Sequence, residues 1–550
     1  MRYLTLLLSL TALLLVTDMV AQRPLDKYFV PFTDKADSPY SIWEPQAYLS
    51  PRAIERRQRY GIAITEVDLP VNPRYTAALR AAGAQVFYTS KWMNGAVVQS
   101  SAATLEAIRA LPFVEAGRIE AVGFYTPPSA DAAPAPEKAE TYDRESNYYG
   151  YGITQIRMLL GDLLHLIGYR GEGMMVGVLD GGFTRVDVLP FFDSLRQEGR
   201  LLRGYDFVEG DDYPYESSSH GTQVLSTMAA EVPYLLVGTA PDATYVCVKT
   251  EDTGSETRAE EENWVAGLEY ADSLGADVVN SSLGYTTFDY KEMNRTYEQL
   301  LGDSRAARAA NIAYSRGMIV VNSAGNSGGG GWRYIGVPAD AENILAVGAV
   351  TRSGRRTSFS SYGPTPDGRI KPDVSALGQG VAVAGSRGYR VSASNGTSFS
   401  SPITAGMVTS LWQAFPYKTN EEVLDAVKAA GNQAFIPDES LGYGIPNYYE
   451  AYLQLKGGIQ PGNAIDEGFH IVTDAVSGEV DVTFATDRRG DVAVVIYDAT
   501  GAVVGRDTWR GVAPGVSPQS LTGIAGELPR GFYQVELQQG ENYWITGWVR

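Results

Sequence analysis

Ser394-Asn395-Gly396-Thr397-Ser398-Phe399-Ser400-Ser401-Pro402-Ile403-Thr404-Ala405-Gly406-Met407 reads as a loop turning into an apolar helix, with Ser398 close behind a glycine at the turn. A serine there projects its hydroxyl at a helix N-terminus, beside backbone N–H groups that have no intrahelical acceptor. Such a hydroxyl attacks a carbonyl poorly at neutral pH unless a base removes its proton, and the oxyanion then formed needs donors waiting for it. A histidine, a carboxylate and an amide are therefore sought elsewhere in the chain.

Asp180 ends the apolar run Met175-Val176-Gly177-Val178-Leu179, just before Gly181-Gly182; alone, that is a turn. His220 follows Ser217-Ser218-Ser219 and precedes Gly221-Thr222, opening a helix expected over Gln223 to Ala230, with serines available to cap it. The chain has three histidines, His165, His220 and His470, so candidates for a base are few. Asn326 closes Val320-Val321-Asn322-Ser323-Ala324-Gly325-Asn326. An asparagine there is commonly a turn residue, although its side-chain N–H₂ can equally face a developing oxyanion. Each residue has a structural explanation by itself. Together they lie at strand or loop ends near glycine, in the order Asp, His, Asn, Ser.

Leu179-Asp180-Gly181-Gly182, His220-Gly221-Thr222, Ala324-Gly325-Asn326 and Gly396-Thr397-Ser398-Phe399-Ser400-Ser401-Pro402 resemble the four signature blocks of the subtilisin-like serine proteases, whose chain order is known from subtilisin itself. The resemblance spans about 150 to 456. It implies an endopeptidase with Ser398 as nucleophile, His220 as base and then acid, Asp180 orienting the imidazole, and Asn326 with the Ser398 N–H as oxyanion hole. Within Asn280-Ser281-Ser282-Leu283-Gly284, it implies a strand that pairs with an extended peptide substrate. Ser282, Leu283 and Gly284 would flank the S1 pocket on one side and Ser323, Ala324 and Gly325 on the other, with Gly336 as its floor. A floor without a side chain implies a roomy pocket for large apolar or aromatic P1 residues. Two departures stand out: Gly181, where the family usually has Ser or Thr, and Leu377, where it has Pro. No cofactor is needed for this chemistry. Calcium is common in the family, but Asp206, Asp211 and Asp212 reproduce no recognised calcium loop, so they read as a solvated loop and no metal ligand is assigned.

Around these blocks, Met174 to Leu179, Thr244 to Val248, Asp277 to Asn280, Met318 to Asn322 and Ile344 to Val350 are near-continuous apolar runs, the pattern of parallel strands covered on both faces. Helical spacing over Thr257 to Leu274 and Ser304 to Ser315 completes an α/β, doubly wound, mostly parallel sheet over 150–456. Residues 23–122 read as an α+β domain with strands near Tyr28 to Phe32, Ala84 to Tyr88 and Ala96 to Val98 and helices near Pro51 to Tyr60 and Ala102 to Leu111. Position and element order resemble the family's inhibitory propeptide; a permanent accessory domain is the alternative. The stretch 123–149, rich in Pro and Ala, reads as an exposed linker and the expected self-cleavage region.

Residues 457–550 read as a small all-β sandwich. Val494-Val495-Ile496-Tyr497-Asp498-Ala499-Thr500-Gly501 and Leu528-Pro529-Arg530-Gly531-Phe532-Tyr533-Gln534-Val535 resemble C-terminal sorting domains of the bacterial type IX secretion system, implying secretion machinery as a partner; an ordinary sandwich that binds substrate or stabilises the protease is the alternative. Residues 1–22, with Arg2 before apolar Leu6 to Val16 and Ala21 near the end, read as a secretory signal peptide. No later segment approaches transmembrane length.

The net charge of −19, from 45 basic and 64 acidic residues, argues against a nucleic-acid partner. Cys247 is the only cysteine, which excludes an intrachain disulfide and a thiolate metal cluster. The competing functional class is a catalytically idle surface protein that binds through the same groove.

Overall fold

The long apolar runs become the central sheet of a computed structural model that describes residues 26–124 and 146–456 and, in the C-terminal part, 470–473, 480–486, 489–498, 501–513, 515–525, 528–529, 531–540 and 542–549. The expected signal segment, most of the linker (125–145) and the Gly457 to Gly462 run lie outside the described residues.

The N-terminal domain pairs β1 (Lys27–Pro31), β2 (Gln85–Ser90), β3 (Gly95–Gln99) and β4 (Glu120–Gly123) in the order β2-β3-β1-β4, antiparallel throughout. Helices α1 (Pro51–Arg59), α2 (Pro73–Ala81) and α3 (Ala102–Arg109) start at Ser50, Asn72 and Ser101, whose side chains each accept a first-turn N–H. Proline at the first position of α1 and α2 loses nothing there, because that N–H has no helical acceptor. Helix α2 and strand β4 were not expected from the sequence pattern: both are short and carry little apolar periodicity.

The middle of the chain forms seven parallel strands: β5 (Met175–Asp180), β6 (Tyr205–Asp206), β7 (Thr244–Lys249), β8 (Val278–Ser281), β9 (Ile319–Ser323), β10 (Leu345–Val350) and β11 (Val374–Leu377), in the order β11-β10-β9-β8-β5-β7-β6. Helices α4 (His220–Ala229), α5 (Ala259–Leu274), α6 (Arg305–Ser315) and α7 (Thr397–Ala414) cover its two faces, which form separate apolar cores. The chain passes from β7 on one side of β5 to β8 on the other, so the order reverses at β5. A crevice at the carboxyl ends follows from that reversal. Register places Ser281 of β8 between Leu179 of β5 and Asn322 of β9, which brings the ends of those three strands together.

The N-terminal domain rests on α5 and α6. Asp272 of α5 is fully buried and receives Arg56 Nη2 at 2.5 Å, Arg57 Nη2 at 3.0 Å and Lys91 Nζ at 2.8 Å. Glu269 accepts the Lys91 and Trp92 N–H groups at 2.8 and 3.1 Å and the Ser90 hydroxyl at 2.5 Å. Glu120 of β4 binds Arg258 at 2.7 Å and Arg305 at 2.8 Å. At the C-terminus of α5, Ser50 Oγ donates to the Leu274 carbonyl at 2.8 Å and Arg52 Nε to that of Gly275 at 3.0 Å, partners for carbonyls the helix itself leaves open.

The described C-terminal strands form two antiparallel sheets of three and four strands sharing one core that includes Val482, Phe484, Val494, Ile496, Val535 and Leu537. Among the described residues, no helix is long and apolar enough to cross a membrane.

Candidate active site

Asp180 is the last residue of β5 and fully buried. Its two oxygens accept from His220 Nδ1 at 2.8 and 3.0 Å, and Oδ1 also accepts the Gly181 N–H at 2.8 Å. Helix α4 begins at His220 itself, three residues before the expected start, and the serine bond falls at Ser218, whose Oγ accepts the His220 N–H at 3.1 Å. Gly221 permits this approach: a Cβ there would stand 2.9 Å from Asp180 Cβ and 2.5 Å from the Gly182 carbonyl oxygen. The His220 side chain keeps 37 % of its surface exposed, so one edge of the ring is fixed and the other is open. Because a carboxylate only accepts, Nδ1 carries the proton and Nε2 is left with a lone pair. The Asp180 charge raises the imidazole pKa above its ordinary value, against the effect of burial.

Ser398 is the second residue of α7 and 8 % exposed. The ring of Phe399, its neighbour, packs 5.8 Å from the His220 ring, which places imidazole and helix N-terminus side by side. The Ser398 hydroxyl donates to the Ser282 carbonyl at 3.5 Å; among the described residues it makes no bond to His220. Pro402 explains how the serine is anchored. It has no N–H, so the Ser398 carbonyl lacks its helical donor four residues on. Ser282 Oγ supplies one at 2.8 Å, and Asn280 supports it, donating to Ser282 Oγ at 3.2 Å while accepting from Ser401 at 2.8 Å.

Asn326 Oδ1 accepts the Thr397 N–H at 2.9 Å and the Thr397 hydroxyl at 3.1 Å. A backbone N–H can bond only to the amide oxygen, which fixes the flip and turns Nδ2 away from Thr397. A Cβ built on Gly396, whose φ is +146°, would lie 3.6 Å from both Ser398 N and Asn326 Oδ1 and 3.7 Å from Asn326 Nδ2, so the Ser398 N–H and the Asn326 amide, its oxygen already taken by Thr397, border one small space. Ser398 N, in the first turn, has no helical acceptor.

The expected pocket segments also meet. Asn322 Nδ2 donates to the Leu283 carbonyl at 3.1 Å and Ser323 Oγ approaches it at 3.5 Å, joining Ser282–Gly284 to Ser323–Gly325. Gly284 is exposed, Ala324 fully buried, and Thr397 Oγ1 accepts the Gly325 N–H at 3.1 Å. Gly336 is buried beneath Gly284: a Cβ on it would lie 3.8 Å from Gly284 Cα and 3.3 Å from Thr286. At Gly181 a side chain would meet only ordinary contacts of 3.4 to 3.8 Å, so this departure leaves room rather than strain.

Glu251 was missed by sequence reasoning. Thr250 donates its N–H to the Asp180 carbonyl at 3.0 Å, and Glu251 Oε1 accepts from Tyr285 at 2.6 Å. Only the acidic strand end Lys249-Thr250-Glu251-Asp252 hinted at it.

The solvated reading of Asp206 needs correction. It is fully buried because Lys249 Nζ lies 2.7 Å away and the Val208 and Glu209 N–H groups bond to it. Ligand oxygens of Asp206, Glu209 and Glu216 fall within 4.8 Å of one another, but Lys249 also stands 3.6 Å from Glu209, so a cation there competes with an ammonium. Cys247 is buried, and burial pushes its thiol far up, away from reactivity. His165 is buried with Nε2 3.1 Å from the Thr239 carbonyl, and burial pushes it down to about 4.

The profile of the Subtilase family matches residues 171–444. Subtilisin of Bacillus pumilus is 33 % identical over 283 residues, which span 51 % of this chain and 90 % of that protein. The chain belongs to the subtilase family. Subtilisin NAT of Bacillus subtilis subsp. natto is 34 % identical over 283 residues, and here the match covers 51 % of the subtilase chain but 65 % of the relative's length. Subtilisin DY of Bacillus licheniformis is 30 % identical over 277 residues, 88 % of its length. Residues 27–133 match the Peptidase S8 propeptide domain, Bacteroidota. This subtilase thus carries a propeptide domain, a subtilisin-like α/β domain and further β-strands.

Proposed function

We propose that this subtilase is a secreted serine endopeptidase that cleaves proteins and peptides through an acyl-enzyme. The observation that carries the reading is the Asp180–His220 pair at 2.8 and 3.0 Å, its imidazole beside the Ser398 helix terminus. Ser398 Oγ attacks the scissile carbonyl while His220 Nε2 takes its proton; Asp180 stabilises the imidazolium through Nδ1–H. The oxyanion lies between Asn326 Nδ2 and Ser398 N–H. The imidazolium then protonates the leaving amine, and a water activated the same way releases the acyl group. To reach His220, the hydroxyl must leave the long 3.5 Å bond to Ser282 by rotating about its Cα–Cβ bond. Catalytic hydrogen bonds are often this loose before substrate binds.

The bare floor at Gly336 supports large apolar or aromatic P1 residues and otherwise broad specificity. The propeptide domain acts as intramolecular inhibitor and is released by self-cleavage within 123–149. Residues 1–22 direct export, and the C-terminal strands serve sorting by type IX machinery, a reading supported by their likeness to such domains. The alternative of an idle binding protein draws on the missing Ser398–His220 bond. Hydrolysis of casein and of peptides with Phe at P1 by the exported protein, lost in Ser398→Ala, tests the proposal; equal hydrolysis by both proteins overturns it.

A further inference from the structure

A hairpin ties the segment that ends in Ser398 to the helix that begins at His220. Its strands β12 (Val381–Ala384) and β13 (Val391–Ser394) pair antiparallel, Val381 with Ser394 and Ala384 with Val391. Ser394 lies four residues before Ser398, and the chain between them is pinned. The Gly396 N–H donates to the Gly378 carbonyl at 2.8 Å, and the Gly380 N–H donates to Asn395 Oδ1 at 2.8 Å. Thr397 is held by Asn326 and the Ser398 carbonyl by Ser282. The end of the hairpin is therefore fixed relative to Ser398.

Helix α4 is bonded to this hairpin through Gln223 and Ser226. The Ser394 hydroxyl donates to Gln223 Oε1 at 3.0 Å, and Ser226 Oγ accepts the Ala384 N–H at 2.9 Å. Residues three apart share a helix face, so Gln223 and Ser226 present one side of α4 to the hairpin. Ser226 Oγ also donates to the Gln223 carbonyl at 2.6 Å, which ties the two contacts together. Ser226 is fully buried, and Gln223 and Ser394 are half-buried, so water is partly kept from both bonds. A glutamine in the first turn of a helix is free to turn its amide to solvent. Here the amide oxygen is taken by a serine 171 residues away, three residues from His220 at one end of the bond and four from Ser398 at the other.

Asp180 grips the imidazole at Nδ1, which sets how the ring is turned; the separation of its open edge from Ser398 depends on where α4 stands. The Ser398 hydroxyl, bonded at 3.5 Å to Ser282, meets Nε2 after rotating only if that separation is right. A misplacement of about 1 Å is enough to cost ~100-fold in rate. We propose that Gln223 and Ser394 are a positioning pair for the reaction: their hydrogen bond holds α4 against the hairpin, at the separation from which His220 Nε2 takes the Ser398 proton. The proposal rests on the endopeptidase reading. Neither side chain performs a chemical step; each acts through the helix or strand that carries it.

The test measures kcat and KM of the exported protein on peptides with Phe at P1, for Gln223→Ala, Ser394→Ala, the double variant and Gln223→Glu, each at its pH of maximal rate. Each single alanine variant should lower kcat about tenfold and leave KM within about twofold, since Ser226 still holds part of the helix. The double variant should fall no more than about twofold below either single one, because both remove the same bond. A carboxylate still accepts the Ser394 hydroxyl, so Gln223→Glu should come within about threefold of the parent, and that recovery should vanish when Ser394→Ala is added. Hydrogen exchange at Val176 to Val178 in β5 checks folding. Gln223→Met, which keeps the volume without an acceptor, replaces Gln223→Ala should that variant lose this protection. Unchanged kcat in the single variants, losses that multiply in the double variant, or a Gln223→Glu protein as slow as Gln223→Ala would overturn the positioning pair alone. A folded parent protein that neither cleaves these peptides nor labels with a fluorophosphonate would overturn the endopeptidase reading and the pair with it.

Discussion

Asp272→Asn tests how the propeptide domain is held. The Asp272 carboxylate, fully buried, faces Arg56, Arg57 and Lys91 at 2.5 to 3.0 Å. Burial disfavours its charge, yet Lys91, Arg57 and Arg56 hold it well below the usual carboxylate range. Its contribution to docking is therefore complete above the ordinary carboxylate pKa and is lost only as pH falls to the acid extreme. Asparagine keeps the shape and removes the charge. Taking one partner from a buried ion pair costs about 3 to 5 kcal/mol. Arg57 retains Asp68 at 2.8 Å, which favours the lower end, about 3 kcal/mol or ~150-fold in the docking equilibrium. The assay is hydrogen exchange at the Lys91 and Trp92 amides, which donate to Glu269 across the interface at 2.8 and 3.1 Å. In a Ser398→Ala background, so that the chain stays whole, their exchange should accelerate by roughly 100-fold while Val176 to Val178 in β5 keep their protection. Unchanged exchange at Lys91 and Trp92 would refute the ionic lock, and an equal loss of protection in β5 would show that the substitution merely unfolds the protein.

Because the Asp180 charge raises the His220 pKa, the rise of kcat/KM with pH should be centred above the ordinary 6.5; a protonated imidazole has no lone pair, so a higher pKa extends the inactive range upward. The attraction within this pair stabilises the fold fully below the imidazole's unfolded pKa and fades as pH rises through the folded one. Asp180→Asn should move the limb to lower pH and reduce kcat by about 10⁴, checked by pH-rate profiles. Asn326→Ala should lower kcat about 10²- to 10³-fold with little change in KM, a magnitude taken from the oxyanion-hole amide of subtilisin itself rather than from the geometry here. Gly396→Ala, whose methyl group would enter the space between Ser398 N and Asn326 Nδ2, should give the same kinetic signature. Ser398→Ala should leave the exported chain at full length, read by mass spectrometry; efficient processing of that variant would show that another protease makes the cut.

Local patterns were legible where a short stretch carried the whole cause. Asp180 could be placed because an apolar strand ends at a glycine pair, and Ser398 because a small-residue loop runs into an apolar helix. The Asn326 amide orientation was not legible, since the Thr397 N–H that fixes it comes from 71 residues away. Pro402 was visible in the sequence, but its consequence, a freed Ser398 carbonyl captured by Ser282 across 116 residues, depends on tertiary contact. The same holds for Asp206, which polar neighbours made look solvated and Lys249 buries. Glu251 and Asp272 take their meaning from Tyr285 and from Arg56, Arg57 and Lys91, partners no local period reveals.

The most direct test of the central claim is the mass of the Ser398-containing peptide after the exported protein meets a fluorophosphonate. One adduct, on Ser398, lost when His220→Ala removes the base, is the expected result. A folded protein that takes no adduct, or takes it equally without His220, would contradict the coupling of Asp180, His220 and Ser398 into one nucleophilic unit.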